Sequence, residues 1–120
     1  MLTKEQIFGM YIGNNCTDGT YLFKLKDVNM YGGLILLYAN EGSTNYGIET
    51  RYSIDDCKLI LRTQEDMTEK EIKMFYKLHD DIHCGYDAQH TEYLISIGID
   101  VFNAIGKGWA VRKGEGNETE

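Results

Sequence analysis

The residues with the most versatile chemistry lie together in the sequence His79-Asp-Asp-Ile-His83-Cys84. His79 and His83 are four residues apart, and on a helix that spacing places both side chains on one face. Two imidazoles at this spacing can bind one Zn²⁺ ion, and Cys84 or His90 could complete a tetrahedral site. His79, His83 and Cys84 are therefore candidate zinc ligands of a small metal-binding protein or metal-dependent enzyme.

The same cluster also has a purely structural explanation. His79 borders the apolar stripe of the predicted helix and can pack there, while an imidazolium near a helix C-terminus interacts favourably with the helix dipole. No glutamate follows His79, so the metalloprotease pattern His-Glu-x-x-His is absent. Since no paired cysteine motif accompanies the histidines either, zinc binding is the alternative hypothesis and not the leading one.

The cysteines give little support for nucleophilic catalysis. The three of them, at positions 16, 57 and 84, have no repeating spacing. Cys57 shares a predicted strand face with Leu59 and Leu61, which suits inert burial. Cys16 is expected in a loop and should be the most exposed. Because a nucleophilic cysteine needs a positioned base and none is recognisable, the sequence favours a protein without enzymatic activity.

Composition indicates which classes of partner are favoured and which are disfavoured. The chain has 120 residues and a net charge of -7, with no cluster of Lys and Arg. Nucleic-acid affinity comes largely from such clusters, so the sequence disfavours direct DNA or RNA binding, and acidity suits a basic protein partner. No apolar run is long enough to span a membrane. With no secretion signal recognisable, we expect a protein of the reducing cytoplasm.

Tyrosine supplies the candidate binding surface, because it is favoured at protein interfaces. Six of the nine tyrosines lie in the N-terminal half, and we expect at least half of these six to line a small core. Tyr31 and Tyr46 lie in or next to glycine-rich turns, so they are expected to be exposed and are candidate partner-binding residues. The leading hypothesis is a non-enzymatic protein that binds a macromolecule.

No glycine-rich phosphate cradle is present, so the sequence predicts no cofactor-binding residues. A small-ligand binder, for example of a nucleotide, is a third hypothesis. It would need a pocket lined by Arg51, Lys58 or Arg62. The low number of basic residues weighs against it.

Capping boxes and periodicity predict the helices. Thr3 with Gln6, and Thr68 with Glu71, each place a hydroxyl and a longer polar side chain three residues apart, which is how a capping box begins a helix. Glycine then ends each predicted helix. The predicted helices are residues 4–12, 69–84, 91–97 and 101–107. Asp100 is the expected cap of the last of these.

Alternation of apolar and polar residues predicts strands at residues 20–28, 46–54 and 57–62. Residues 34–39 are apolar on both faces, which predicts a central strand. Their short connections favour antiparallel neighbours. The predicted fold class is α+β, with an antiparallel sheet of three to four strands and the N-terminal and C-terminal helices packed on one face. We expect a single domain over residues 1–112 and a disordered polar tail over residues 113–120.

Two regions resemble a known family. Residues 55–62 (DDCKLILR) and 66–71 (DMTEKE) resemble the segment CKLxLRPLSxMTEEE of small proteins encoded by phages and prophages of Bacteroides-type bacteria. Residues 93–110 resemble the ending of the same proteins, which contains HFDVFGLIEKGLA. The resemblance implies a mobile-element origin, a bacterial host cell whose cytoplasm contains the protein, and a compact α+β fold.

The chain departs from that family at several positions. Thr63-Gln64 stands where the family often has Pro-Leu, Asn103-Ala104 replaces Gly-Leu, and Gly106 replaces Glu. The matching residues are caps, turns and core positions. The resemblance therefore implies no activity and no site residue. Taken together, the sequence predicts a phage or prophage accessory protein that acts by binding.

Overall fold

The computed structural model describes the backbone of residues 2–80 and 88–114, and the side chains of residues 2–77 and 90–114. In this part of the chain the elements are α1 (Lys4–Met10), β1 (Asn15–Thr17), β2 (Leu22–Val28), β3 (Gly33–Tyr38), β4 (Glu49–Ser53), β5 (Lys58–Leu61), α2 (Glu69–Asp80), α3 (Ala88–Ser96) and β6 (Ala110–Arg112). The predicted α+β class is confirmed. None of the described helices is long and apolar enough to cross a membrane.

The described strands form one mixed sheet in the order β4-β3-β2-β1-β5-β6. Neighbouring strands are antiparallel except β5 and β6, which are parallel. Strands β2 to β4 form the predicted meander, but β5 does not continue it. β5 pairs instead with β1 and β6. These two strands of three residues each were not predicted, because so short a run is too brief to show alternation.

Helix α1 packs on the sheet and completes the main core. Its Ile7, Phe8 and Tyr11 are buried together with the inward-facing residues of the strands. The sheet and its connections contribute the remaining buried members of this cluster: Cys16, Phe23, Leu25, Leu34, Leu36, Ile54, Cys57, Leu59, Leu61, Ala104 and Ala110. α3 adds Ile95, which is partly buried against the same cluster.

The Tyr11 hydroxyl joins α1 to the chain that follows α3. It donates a hydrogen bond to the Ile99 carbonyl over 2.6 Å and accepts one from the Val101 amide over 3.2 Å. Tyr11 is fully buried, and burial raises its pKa to about 12 despite the opposing hydrogen bond from Val101. The phenol is therefore a neutral structural link between two distant segments.

Both predicted capping boxes are present, but two helix predictions need correction. α1 ends at Met10, and Ile12 is exposed beyond it instead of extending the apolar stripe. The predicted helix at residues 101–107 is a series of turns. Asp100 still acts as a cap there, because its carboxylate accepts hydrogen bonds from the Ala104 and Ile105 amides at 2.8 and 3.0 Å. The predicted part of helix 69–84 beyond residue 80 lies outside the described residues.

Candidate partner-binding surface

The tight turn between β2 and β3 carries the two most exposed large apolar side chains of the described residues. Met30 is 79% exposed and Tyr31 is 90% exposed. Tyr31 was predicted to be exposed, and this is confirmed. Met30 was not predicted. The available signal was the sequence Asn29-Met-Tyr-Gly-Gly33, because Asn and Gly together favour a tight turn that points its central residues outward.

Hydrogen bonds hold this turn from within. The Asn29 side-chain oxygen accepts from the Tyr31 and Gly33 amides at 2.9 and 3.0 Å. The Asn29 amide donates to the Gly33 carbonyl, and the Gly32 amide donates to the Asn29 carbonyl. Gly32 has φ +84°, which side chains rarely adopt. The backbone that presents Met30 and Tyr31 is therefore fixed before any partner arrives.

The turn is also held from outside, by the segment that follows β4. The Ile54 amide donates to the Gly32 carbonyl over 2.7 Å. A Cβ atom at Gly32 would lie 3.2 Å from Ile54 and 3.4 Å from the Glu5 carboxylate, so there is little room for a larger residue. Asp27 and Asp55, close to the turn along β2 and after Ile54, are exposed. The Glu5 carboxylate therefore lies beside the base of the turn, and Asp27 and Asp55 are close to it along the chain. We call the projecting pair the Met30–Tyr31 tip.

Tyr46 lies in the longer loop between β3 and β4, at the opposite end of the meander. It is 58% exposed, as predicted, and Ile48 beside it is also exposed. The structure therefore does not bring Tyr31 and Tyr46 together. They are two separate candidate contacts at the two ends of the same strands.

Three other tyrosines of the N-terminal half pack in or against the core, as expected, whereas Tyr21 is exposed. Tyr11 is buried, while Tyr38 and Tyr52 are half-buried with their ring centroids each 5.0 Å from that of Phe23. The Tyr52 hydroxyl donates to Asp18, and both its burial and that carboxylate raise the pKa of Tyr52. These three rings serve the core and are not candidates for partner binding.

The zinc hypothesis falls largely outside the described part of the chain. His83 and Cys84 are outside the described residues, and only the backbone of His79 is described, within α2. His90 is buried and packs against Phe75, with ring centroids 4.9 Å apart and ring planes tilted by 56°. Among the described residues no group of three His, Cys, Asp or Glu is placed to hold a metal ion. Zinc binding by His79, His83 and Cys84 stays a prediction.

The two described cysteines are both buried free thiols. Cys57 was expected to be buried, and burial followed by the nearby Asp18 and Asp56 raises its pKa to about 12. The prediction that Cys16 lies in an exposed loop is wrong. Cys16 belongs to β1 and is fully buried, because it pairs with Phe23 and Leu59 on neighbouring strands, and burial raises its pKa far above the ordinary value. Neither thiol is accessible as a nucleophile.

A cavity of about 400 Å³ lies near the start of α1. Lys4 and Lys58 line it together with Asp18, Asp55 and Asp56. Lys4 already approaches Asp55 at 3.6 Å. Three carboxylates in one cavity oppose the binding of a phosphate group. The cavity therefore does not favour the nucleotide hypothesis, although it contains the Lys58 side chain that such a site would use.

Two arginines connect the chain around β5, β6 and α2 by ion pairs. Arg62 forms two hydrogen bonds to Glu71, at 2.9 and 2.6 Å, and a third to the Ile97 carbonyl at 2.7 Å. Arg112 forms a second forked pair with Asp66, at 3.0 and 2.6 Å. Forked pairs fix orientation as well as distance. Arg62 is therefore engaged in structure and is not available to bind a ligand.

Comparisons of the chain with protein families, with curated proteins and with solved structures find no match.

Proposed function

We propose that this chain is a non-enzymatic accessory protein of a phage or prophage, and that it acts by binding a protein partner through the Met30–Tyr31 tip. The observation that carries the proposal is that the most exposed apolar pair of the described residues projects from a turn fixed by hydrogen bonds. The phage or prophage origin rests on the sequence resemblance alone.

Energetics support a contact of this kind. Tyrosine and methionine are both enriched in the core of protein interfaces, and a few such residues carry most of the binding free energy. A surface that is ordered before binding loses less conformational entropy when the complex forms. The β2–β3 turn is fixed by hydrogen bonds, and its two side chains are more exposed than those of Tyr46 and Ile48.

The charge around the tip indicates the chemistry of the partner. Glu5, Asp27 and Asp55 carry carboxylates near it, and the whole chain has a net charge of -7. A complementary surface would offer an apolar pocket for Tyr31 bordered by Lys or Arg. Such complementarity mainly increases the association rate and the selectivity of binding.

The test compares two double variants in a host cell that carries the mobile element. The tagged wild-type chain, Met30→Ser with Tyr31→Ser, and Tyr46→Ser with Ile48→Ser are each used as bait. Any protein recovered is then purified and titrated against all three. We expect the tip variant to bind at least about 30-fold more weakly, since losing an aromatic hot spot costs roughly 2 kcal/mol or more.

The loop variant is the matched control, because it also removes an exposed tyrosine and its apolar neighbour. It should bind like the wild type. Unchanged binding by the tip variant, or loss of binding only in the loop variant, would contradict the proposal. Recovery of no reproducible partner from the host would also contradict it.

A further inference from the structure

Strand β4 forms one edge of the sheet, because β3 is its only neighbour among the described strands. The Ile48 carbonyl and the Ile54 amide both form hydrogen bonds on the β3 side. Successive residues of a strand direct their backbone groups to opposite sides. Glu49, Arg51 and Ser53 therefore direct their amides and carbonyls away from β3, along the open edge.

An open edge is a template for a further strand, and proteins often block it with proline or lysine. The sequence of β4, ETRYS, contains neither. Its exposed face carries one carboxylate and one guanidinium, from Glu49 and Arg51, because residues two apart in a strand share a face. An edge with one charge of each sign can attract a copy of itself, provided that each charge meets the opposite one.

One antiparallel register of two copies meets this condition. The residues that direct their backbone groups outward must lie opposite each other, so that their amides and carbonyls can bond. With the two-fold axis at Thr50, Glu49 of each copy lies directly opposite Arg51 of the other. Each of these pairs exchanges two backbone hydrogen bonds. The same register therefore joins the two backbones and places each carboxylate beside a guanidinium.

The neighbouring registers bring like charges together. With the axis at Arg51 the two guanidinium groups would lie opposite each other, and with the axis at Glu49 the two carboxylates would. Like charges directly opposite across a strand pair are destabilising. A shift by a single residue would set the outward-facing backbone groups against groups already bonded to β3. The charges and the backbone together select the axis at Thr50.

Both charged side chains are accessible in the single chain. Arg51 is exposed and forms no ion pair with another described residue. Glu49 is exposed too, and its Oε1 accepts a hydrogen bond from Lys26 over 2.8 Å. That bond and the Lys26 charge lower the pKa of Glu49, so its carboxylate stays ionised. Its Oε2 can accept from a guanidinium of another copy, because a carboxylate has two acceptor oxygens.

We propose that two copies of this chain join their β4 edges as an antiparallel, two-fold symmetric pair centred on Thr50, with reciprocal Glu49–Arg51 ion pairs. The sheets of the two copies then form one continuous sheet. Exposed ion pairs and a short edge contact contribute little free energy each, so the dimer is reversible. The inference does not rest on the Met30–Tyr31 tip, which uses neither charged residue.

Sedimentation velocity from micromolar to near-millimolar concentration tests the charge pairing. We expect a reversible dimer for the wild type and roughly tenfold weaker association for Arg51→Glu or Glu49→Arg, since each sets like charges opposite each other in both pairs. The double variant, Glu49→Arg with Arg51→Glu, should restore association, which is the signature of direct coupling. Lys70→Glu changes the net charge as Arg51→Glu does, at an exposed position of α2, and should dimerise normally.

Amide hydrogen exchange resolved by residue tests the backbone pairing. In dilute solution the outward-facing amides of Glu49 and Arg51 should exchange quickly, whereas those of Thr50 and Tyr52, which face β3, should exchange more slowly. As the protein concentration rises, the Glu49 and Arg51 amides should become protected by about tenfold or more. The Thr50 and Tyr52 amides should change little.

Circular dichroism and thermal melting confirm that each variant is folded. A wild-type chain that stays monomeric throughout overturns the proposal and leaves the β4 edge to an extended segment of another protein. A double variant that associates no better than the single ones, or Glu49 and Arg51 amides that never gain protection, overturns the proposed register. The Met30→Ser, Tyr31→Ser variant should dimerise like the wild type, so this test and that of the tip fail independently.

Discussion

Helices α1 and α2 begin with the same kind of capping box, but α1 is buried in the main core and α2 is largely exposed. In α1 the Thr3 hydroxyl accepts from the Gln6 amide at 3.1 Å, and the Gln6 side chain accepts from the Thr3 amide at 2.8 Å. In α2 Thr68 and Glu71 make the equivalent bonds, at 3.2 and 2.8 Å. A capping box therefore fixes where a helix begins in both cases, whatever that helix later contacts.

The side chains that follow the cap determine how deeply each helix is buried. α1 buries Ile7, Phe8 and Tyr11 in the main core, whereas α2 leaves Ile72 and Tyr76 exposed and packs mainly on α3. α2 carries lysines at positions 70, 73 and 77 around its exposed side, which a core could not accept. The comparison teaches that the same start signal can precede a helix that completes the main core and a helix that stays largely outside it.

The largest expected difference between the two helices comes from truncating one aromatic side chain in each. Phe8→Ala should lower the free energy of unfolding by roughly 3–5 kcal/mol, because a fully buried ring leaves a cavity. Tyr76→Ala should change the free energy of unfolding by no more than about 0.5 kcal/mol, because Tyr76 is 59% exposed. Urea denaturation measures both. Similar losses for the two variants would show that α2 belongs to the core.

The contact between α2 and the sheet can be broken at Arg62. Arg62→Met removes the forked pair with Glu71 and the bond to the Ile97 carbonyl, and should cost roughly 2 kcal/mol. The hydrogen bonds from Arg62, and then from the Thr68 amide, lower the pKa of Glu71 from 4.5 to about 2. Because the folded pKa is the lower one, this stabilisation is complete above pH 4.5 and is lost as pH falls toward 2.

Glu71→Gln is the control for the pH dependence. The stability difference between the wild type and this variant should shrink across the same pH window, and solvent exposure of the pair will reduce its size. Urea denaturation at several pH values measures it. A difference that stays constant between pH 4.5 and 2 would mean that the Glu71 carboxylate is not stabilised by Arg62.

The smallest expected effect concerns the caps themselves. Thr3→Ala and Thr68→Ala should each cost about 1 kcal/mol, because each removes the acceptor of one helix-start amide. In α1 the loss should appear in global unfolding, since that helix unfolds with the core. In α2 it should appear mainly as faster amide hydrogen exchange in residues 69–77, because a helix with few buried contacts opens locally. If both substitutions affected only global unfolding, or both only local exchange, the proposed difference between the two helices would be wrong.

Local signals explain which parts of this fold could be predicted. Both capping boxes, the alternation in β2 and β4 and the apolar run of β3 each lie within a few neighbouring residues, so they could be recognised in the sequence. β1 and β6 were not, because strands of three residues carry no period, and the parallel pairing of β6 with β5 joins segments far apart in the chain. The turns at residues 101–107 replaced a predicted helix, although its cap at Asp100 was correctly identified.

The candidate site follows the same division. The exposure of Tyr31 and Tyr46 could be predicted, because glycine-rich turns point their neighbours outward. The role of Asn29 in fixing the turn, and the tie from Ile54, depend on side-chain and long-range hydrogen bonds that no sequence pattern contains. For the same reason the prediction that Cys16 is exposed was wrong. Cys16 is buried because β2 and β5 pair with β1 on its two sides.

Native-state hydrogen exchange tests the contrast between the two helices most directly. We expect the amides of α1 to exchange slowly, because their protection comes from the core. The amides of residues 73–77 should exchange faster, because α2 leaves Ile72 and Tyr76 exposed and packs mainly on α3. Protection of α2 equal to that of α1 would contradict the account.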